Sequence, residues 1–277
     1  MTARAIDTGT DQLLARQDGG VLVLTLNRPE ARNALSDDLS PALRRMLANA
    51  AGDDSVGALV LTGTGTAFCA GGDVKGMGGN SNKKTTTLEE RIADLQQRQR
   101  TLTGALITMP QPTIAALPGP AVGAGLSIAL ACDIRIAAAS AFLATGYRRV
   151  ALSGDYGIAW MMTRLVGTAR ARELMFTGER VDAERAERIG LVNQVVADAA
   201  LQKTAMTMAR SFADGPRTAL GLMKENLDLA IGADFFTALD REAEQLVLAS
   251  QDPDHGEAVR AFVEKRAPVF RRTNSGE

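Results

Sequence analysis

Residues Phe68-Cys69-Ala70-Gly71-Gly72-Asp73 and Gly119-Pro120-Ala121-Val122-Gly123-Ala124-Gly125-Leu126-Ser127 form two small-residue turns, each following an apolar run of strand character. Turns of this kind suit backbone amides aimed at an anion. Small side chains let a ligand approach the main chain, and a helix starting at the second turn directs its unsatisfied N–H groups and positive dipole end at a negative oxygen. Two N–H groups converging on one point make an oxyanion hole, which stabilises charge developing on a carbonyl oxygen. Either turn taken alone reads more readily as a tight connection.

A carboxylate that could work beside such a hole is Asp155, in Leu152-Ser153-Gly154-Asp155-Tyr156-Gly157 just before the segment Ile158-Ala159-Trp160-Met161-Met162. The residues alone leave two readings open: a helix N-cap, worth about 1 kcal/mol, or a desolvated acid/base. The single histidine, His255, sits at a helix start and reads as solvated. Without a second histidine or a Ser-His-Asp set, His-based nucleophilic catalysis and zinc hydrolysis lack their main reagent. Cys69 and Cys132 are too few for a disulfide framework and have no metal-ligand cluster around them, so both read as small buried hydrophobes. Chemistry in this chain therefore rests on carboxylates and backbone amides, with no metal.

The elements that position these groups follow from the apolar pattern. Val21 to Leu26, Ala58 to Thr62, Thr113 to Leu117 and Asp133 to Ile136 read as buried strands. Helical segments lie between them at Asp37 to Ala51, Leu88 to Ile107 and Val122 to Ala131, which makes an α/β alternation. Beyond Asp198 the chain reads as consecutive helices: Ala199 to Phe212, Arg217 to Ala230, Ala233 to Leu248 and Gly256 to Lys265. Gly76 to Thr87 is nearly free of apolar residues and reads either as a surface insertion or as a loop placed to cover a pocket. With 277 residues, 45% of them hydrophobic, the chain can bury a full-sized core. A net charge of −1 gives no electrostatic footprint for nucleic acid. No apolar run approaches the roughly 20 residues of a membrane helix, and Met1 to Gln17 lacks a signal-peptide core, which predicts a cytoplasmic protein without a membrane partner.

Both turns, in this order and at this separation, resemble the enoyl-CoA hydratase/isomerase (crotonase) family, which stabilises thioester enolates of acyl-CoA. Asn27-Arg28-Pro29-Glu30-Ala31-Arg32-Asn33-Ala34-Leu35, Ala131-Cys132-Asp133 and Phe262 to Phe270 match further family patterns, so the resemblance runs from about residue 15 to 271. It implies a ClpP-like spiral of repeated ββα units over residues 1–197 and a C-terminal helical trimerisation region over 198–277. The implied partners are an acyl-CoA substrate and further copies of the chain in a trimer or hexamer. No cofactor is implied beyond the CoA of the substrate.

Carried onto this chain, the oxyanion amides belong to Gly72 and Ala124. Alanine at the second position keeps the amide hydrogen that proline would have removed. Hydratases of the family carry two glutamates at positions occupied here by Ser127 and Gly146, so neither acid is present. Isomerases, including ring-epoxide isomerases of phenylacetate breakdown, carry a catalytic Asp where Asp155 stands. The resemblance thus implies that Asp155 is the base. Walled by Leu126, Val150, Leu152 and Trp160, it would be desolvated, while Trp160, Met161 and Met162 read either as core or as the lining of an acyl tunnel. Ser127 would orient a water or the substrate, or else simply pack as a helix serine. Arg28, Ala31 and Arg32 would lie beside the pantetheine and phosphates, and Ala70, Asp73, Val74 and Gly146 beside the thioester and acyl group, with Asp73 and Asp133 also serving as hydrogen-bond acceptors in the fold. Phe262 and Lys265 would reach a neighbouring subunit's CoA. Arg148 and Arg149 would pair with carboxylates across the trimer or with an acidic acyl chain.

Three functions remain open at this level. The first is an enoyl-CoA isomerase-type double-bond shift with Asp155 as base. The second is hydration, or another crotonase reaction, using a carboxylate such as Glu89 or Glu90. The third is acyl-CoA binding without turnover.

Overall fold

The computed structural model describes residues 3–73 and 87–270. Val74 and the expected covering loop, except Thr87, lie outside the described residues. A seven-stranded sheet runs in the order β1 (Arg4–Ile6), β2 (Leu13–Asp18), β3 (Val21–Leu26), β4 (Ala58–Gly63), β5 (Thr113–Leu117), β7 (Ile134–Ala138), β10 (Gln194–Val196). The first two pairings are antiparallel and the rest are parallel. A smaller sheet joins β6 (Ala121–Val122), β8 (Phe142–Ala144) and β9 (Val181–Asp182).

The spiral appears once single bridges are added to this second sheet. Leu35 bridges Gly72, Cys69 bridges Ala121, and β6 pairs β8, all in parallel. Each turn of chain therefore lays one strand in the large sheet, a short extended piece in the small one, then a helix. β3, Leu35 and α1 (Leu39–Ala51) form the first turn, and β4, Cys69 to Gly72 and α2 (Leu88–Gln99) the second. β5, β6 and α4 (Ala124–Ala131) make the third, and β7, β8 and α5 (Ile158–Thr177) the fourth. α2 continues through a π-helical turn, Arg100–Gly104, into the short α3 (Ala105–Thr108), so the expected helix from 88 to 107 is one rod with a register change.

Strand periodicity divides the apolar residues between two cores. Leu22, Leu24 and Leu26 of β3, with Leu59 and Leu61 of β4, face the spiral interior and pack with Leu39, Leu43 and Leu47 of α1. Val21, Val23, Ala58 and Val60 point the other way and pack with Ile114, Ala116 and Ile136 under α7 (Leu201–Ala213). A sheet covered on both faces explains why these strands read as unbroken apolar runs. The expected boundary at 197/198 falls just before α7, whose apolar stripe closes this second core.

α6 (Ala183–Arg188) precedes β10, and α8 (Arg217–Ala230), α9 (Phe235–Ser250) and α10 (Pro253–Val263) follow α7. Asp252 caps α10 by accepting from the Asp254 amide, and His255 is exposed in its first turn. α8 to α10 expose Leu227, Phe235, Phe236, Leu246 and Phe262 in the single chain.

Candidate active site

The two small-residue turns lie side by side. A Cβ at Gly125 would collide with the Cys69 carbonyl, and one at Gly71 would sit 2.8 Å from the Val122 oxygen and 3.5 Å from the Ala124 nitrogen. Gly71 also adopts φ 94°, which side chains disfavour. Leu35 donates to the Gly71 carbonyl at 2.8 Å and accepts from the Asp73 amide at 3.2 Å. That bridge uses the groups flanking Gly72 and turns the Gly72 N–H to the opposite side of the strand. Ala124 opens α4, whose first internal bond runs from Ser127 N to Gly123 O at 3.0 Å. Its N–H therefore has no carbonyl one turn earlier to meet. Both residues line one cavity of about 660 Å³.

Asp155 lines the same cavity. It does not cap α5: Gly157 occupies the N-cap, no side chain caps that end, and only the Asp155 backbone carbonyl accepts there, from Ile158 N at 3.1 Å. Its carboxylate instead accepts from the Tyr147 hydroxyl, 2.6 Å from Oδ1. Burial raises the Asp155 pKa above the ordinary carboxylate value, and the Tyr147 bond, which favours the ionised form, opposes that rise. Burial and the neighbouring Asp155 charge push the Tyr147 phenol far upward, so it stays protonated and acts as the donor. Ser127 Oγ lies 3.1 Å from the Tyr147 hydroxyl and donates toward the backbone carbonyls of Asp155 at 3.2 Å and Gly123 at 3.3 Å.

Several expectations are corrected by this arrangement. Of the two readings of Ser127 the packed one is found: it is fully buried behind Tyr147 and does not line the cavity, so it positions Tyr147 and the Asp155 backbone and is not placed to hold a water against substrate. Val150, Leu152 and Trp160 do not wall Asp155. All three are exposed in the single chain, Trp160 by 44% with Arg164 stacked over its ring, whereas Met161 and Met162 are buried. Tyr147 bonds Asp155, and the adjacent Tyr156 is buried. The sequence gives Tyr147 no role of its own, although it directly follows the glycine that replaces the second hydratase acid.

The remaining expected residues separate. Asp73 lines the cavity and pairs with Arg28 at 3.2 Å. Arg28 also donates to Ala34 O at 2.7 Å, so its guanidinium braces the first oxyanion turn. Ala70 donates to the Arg32 carbonyl at 3.0 Å, and Ala31 and Arg32 end the short helical turn Pro29–Ala31 with the Arg32 side chain exposed. Gly146, with φ 74°, caps the turn that carries Tyr147. Phe262 is 85% exposed, and Lys265 is also exposed just beyond α10. Asp133 accepts from Thr113 and Lys224, as a structural acceptor. Glu90 forms a capping box with Thr87, and Glu89 and Glu90 are both exposed. Both cysteines are buried, which pushes their thiols up to about 12. Among the described residues no cluster of three or more His, Cys, Asp or Glu is placed to hold a metal, and no helix is long and apolar enough to cross a membrane.

The enoyl-CoA hydratase/isomerase family model matches residues 16–273. This chain belongs to that family. It is 36% identical over 258 residues to the 1,2-epoxyphenylacetyl-CoA isomerase of Escherichia coli K12, covering 93% of this chain and 97% of that protein. It is 37% identical to the probable enoyl-CoA hydratase EchA12 of Mycobacterium tuberculosis H37Rv, covering 89% and 88%. Among solved structures, a putative enoyl-CoA hydratase from Streptomyces coelicolor A3(2) superposes with a TM-score of 0.88 at 36% identity, covering 94% of each chain. The crotonase fold expected from the motifs is thus the fold found. Family members near this chain carry isomerase and hydratase names at similar identity, so the names leave the reaction to the site.

Proposed function

We propose that this enzyme of the enoyl-CoA hydratase/isomerase family shifts the double bond of a 3-enoyl-CoA thioester through an enolate. The observation that carries the reading is that a half-buried carboxylate, Asp155, shares a cavity with the Gly72 and Ala124 amides, while the two hydratase acid positions hold Ser127 and Gly146. The thioester oxygen sits between the two N–H groups. Asp155 takes a proton from C2, and the electron pair moves onto the thioester oxygen, where the amides stabilise it. The same carboxyl then returns the proton to C4, the double bond comes to rest between C2 and C3, and Asp155 is again ionised. A base raised in pKa by burial is better matched to so weak a carbon acid than an exposed aspartate.

Hydration is the second reading, favoured by one observation: Asp37 also lines the cavity and is exposed, so a second carboxylate is available to a water. A paired assay separates the two. The isomerase reading expects isomerisation of 3-hexenoyl-CoA to fall by orders of magnitude in Asp155→Asn, with crotonyl-CoA hydration slow from the outset. Brisk hydration that survives Asp155→Asn would overturn it, and tight acyl-CoA binding with neither reaction would point to a non-catalytic binder.

We further propose that the protein works in the cytoplasm as a trimer or a dimer of trimers without a bound cofactor. The apolar side chains exposed on α8 to α10 support the assembly, and Phe262 and Lys265 would then serve the CoA of a neighbouring copy.

A further inference from the structure

The cavity that holds Asp155 is lined also by Arg44 of α1 and by Leu95 and Arg98 of α2. α2 is exposed along its length from Leu88 to Arg98 in the single chain, and Gln99 is its first half-buried residue. Directly after Gln99 the chain passes through the π-helical turn Arg100–Gly104, where Leu102 and Thr103 become buried and the Thr103 hydroxyl donates to the Gln99 carbonyl at 3.2 Å. A π-turn inserts one extra residue, which rotates the helix before it by about 100° relative to the helix after it, and such turns concentrate at functional sites. With Leu102 and Leu106 anchored in the core, that rotation fixes which side of α2 meets the body of the protein.

The Gln99 side-chain oxygen accepts from the Tyr156 backbone amide at 2.9 Å. That amide belongs to the peptide group joining Asp155 to Tyr156, whose carbonyl end accepts from Ser127 Oγ at 3.2 Å and from Ile158 N at 3.1 Å. A peptide group is a rigid plane, so bonds at both ends fix its orientation beside the carboxylate. The orientation held is not the one the residues favour: Tyr156 has φ 52°, uncommon for a side chain of its bulk. Swinging the plane over would return Tyr156 to a negative φ, but it would break the bonds at both ends and turn the backbone that carries the Asp155 carboxylate. Tyr156 is 7% exposed, so an amide released by Gln99 has little water to turn to. A strained conformation of this kind persists only where its surroundings over-determine it. Ser127 and Ile158 hold the carbonyl end, and Gln99, from the second turn of the spiral, holds the N–H.

We propose that Gln99 is a positioning residue for the base: it clamps the Asp155–Tyr156 peptide group so that the Asp155 carboxylate faces the oxyanion cavity with its Tyr147 bond intact. The inference rests on the isomerase reading for the reaction that Asp155 performs, and adds to it a group that does not itself line the cavity.

Gln99→Met removes the acceptor with little change in length, and Gln99→Glu keeps it. The chain contains two tyrosines, Tyr147 and Tyr156, so isotopic labelling of tyrosine nitrogen in the intact protein leaves two backbone amide signals to follow by NMR. The Tyr147 amide donates to the Thr145 carbonyl at 2.9 Å and serves as the internal control. In wild type and Gln99→Glu the Tyr156 amide should exchange slowly with deuterium. In Gln99→Met its exchange should speed up by at least about tenfold while that of Tyr147 holds steady. The same variant should lose about tenfold to a hundredfold in kcat for 3-hexenoyl-CoA isomerisation with KM nearly unchanged, and Gln99→Glu should restore most of it. A structural role alone would lower the melting temperature and leave kcat per folded molecule as it was, which would overturn the proposal, as would wild-type protection of the Tyr156 amide in Gln99→Met. Faster Tyr156 exchange in Gln99→Met, beside a wild type that isomerises no 3-enoyl-CoA, would support the clamp while refuting the isomerase reading.

Discussion

The Tyr147 hydroxyl donates to Asp155 Oδ1 at 2.6 Å, and Ser127 stands behind the tyrosine, so the proposed base is held by side chains from two successive turns of the spiral. A carboxylate with one oxygen pinned in this way has a defined direction for the other. The hydrogen bond stabilises the ionised form while burial opposes it.

Removing that hydroxyl tests the relationship. In Tyr147→Phe the downward contribution to the Asp155 pKa disappears while burial remains, so the acidic limb of the pH profile of kcat/KM should move to higher pH. At neutral pH kcat/KM should fall by about tenfold to a hundredfold, the scale of a hydrogen bond to a charged group. The substrate KM should change much less than kcat. An unmoved acidic limb would mean that Tyr147 only fills space.

Asp155→Asn should separate activity from stability. The folded-state pKa of Asp155 is raised, so the native protein holds a proton that the unfolded chain has already released, and stability declines as pH rises through the window above the ordinary aspartate value. Asparagine has no such ionisation and still accepts from Tyr147. The variant should therefore melt at the same temperature as wild type or higher at neutral pH, with the difference vanishing at pH below the ordinary aspartate range. A loss of melting temperature at neutral pH would show that the ionised carboxylate stabilises the fold.

The second oxyanion amide can be deleted with little disturbance. Ala124 is the first residue of α4, where proline is tolerated because the N–H has no helical partner. The preceding Gly123, at φ 56° and ψ −127°, carries no Cβ to clash with the ring. Ala124→Pro should lower kcat by about a hundredfold to a thousandfold with the fold retained, whereas Ala124→Gly should keep most activity. Equal activity of the proline variant and wild type, with matched circular dichroism, would remove Ala124 from the site.

Exposed apolar side chains predict the assembly. Phe235 and Phe236 stack edge to face with centroids 5.5 Å apart, and each is 72% exposed in the single chain. Sedimentation should give a multiple of three times the 29.2 kDa chain mass, and Phe235→Asp combined with Leu246→Arg should release smaller species. A wild-type monomer at micromolar concentration would refute the assembly.

How much of this was readable in the residues depends on the range of the interactions involved. The strands at 21, 58 and 113, the helix from 217 to 230 and the capped start of α10 were legible because apolar periodicity, turn residues and caps act within a few positions. The oxyanion turns were legible for a similar reason: their chemistry is backbone chemistry, and the small residues that permit close approach are written consecutively. Burial of Trp160 and the supposed wall of Val150 and Leu152 were misread, since hydrophobicity states a preference for burial but not which surface of one chain provides it. No role was legible for Tyr147 because its bond to Asp155, eight residues on, depends on the path of the loop between them, and its other partner, Ser127, comes from the preceding turn of the spiral. The amino-acid sequence by itself determined the family, the alternation of strands and helices, and the loss of both hydratase acids. Only the tertiary structure decided that Asp155 faces the oxyanion cavity and does not cap α5, that Tyr147 holds it, and that Arg44 shares its pocket. Apart from the Tyr147–Asp155 pair, eight residues apart, those are contacts between residues distant in the chain, and their geometry exists only once the two cores have packed the spiral turns against one another.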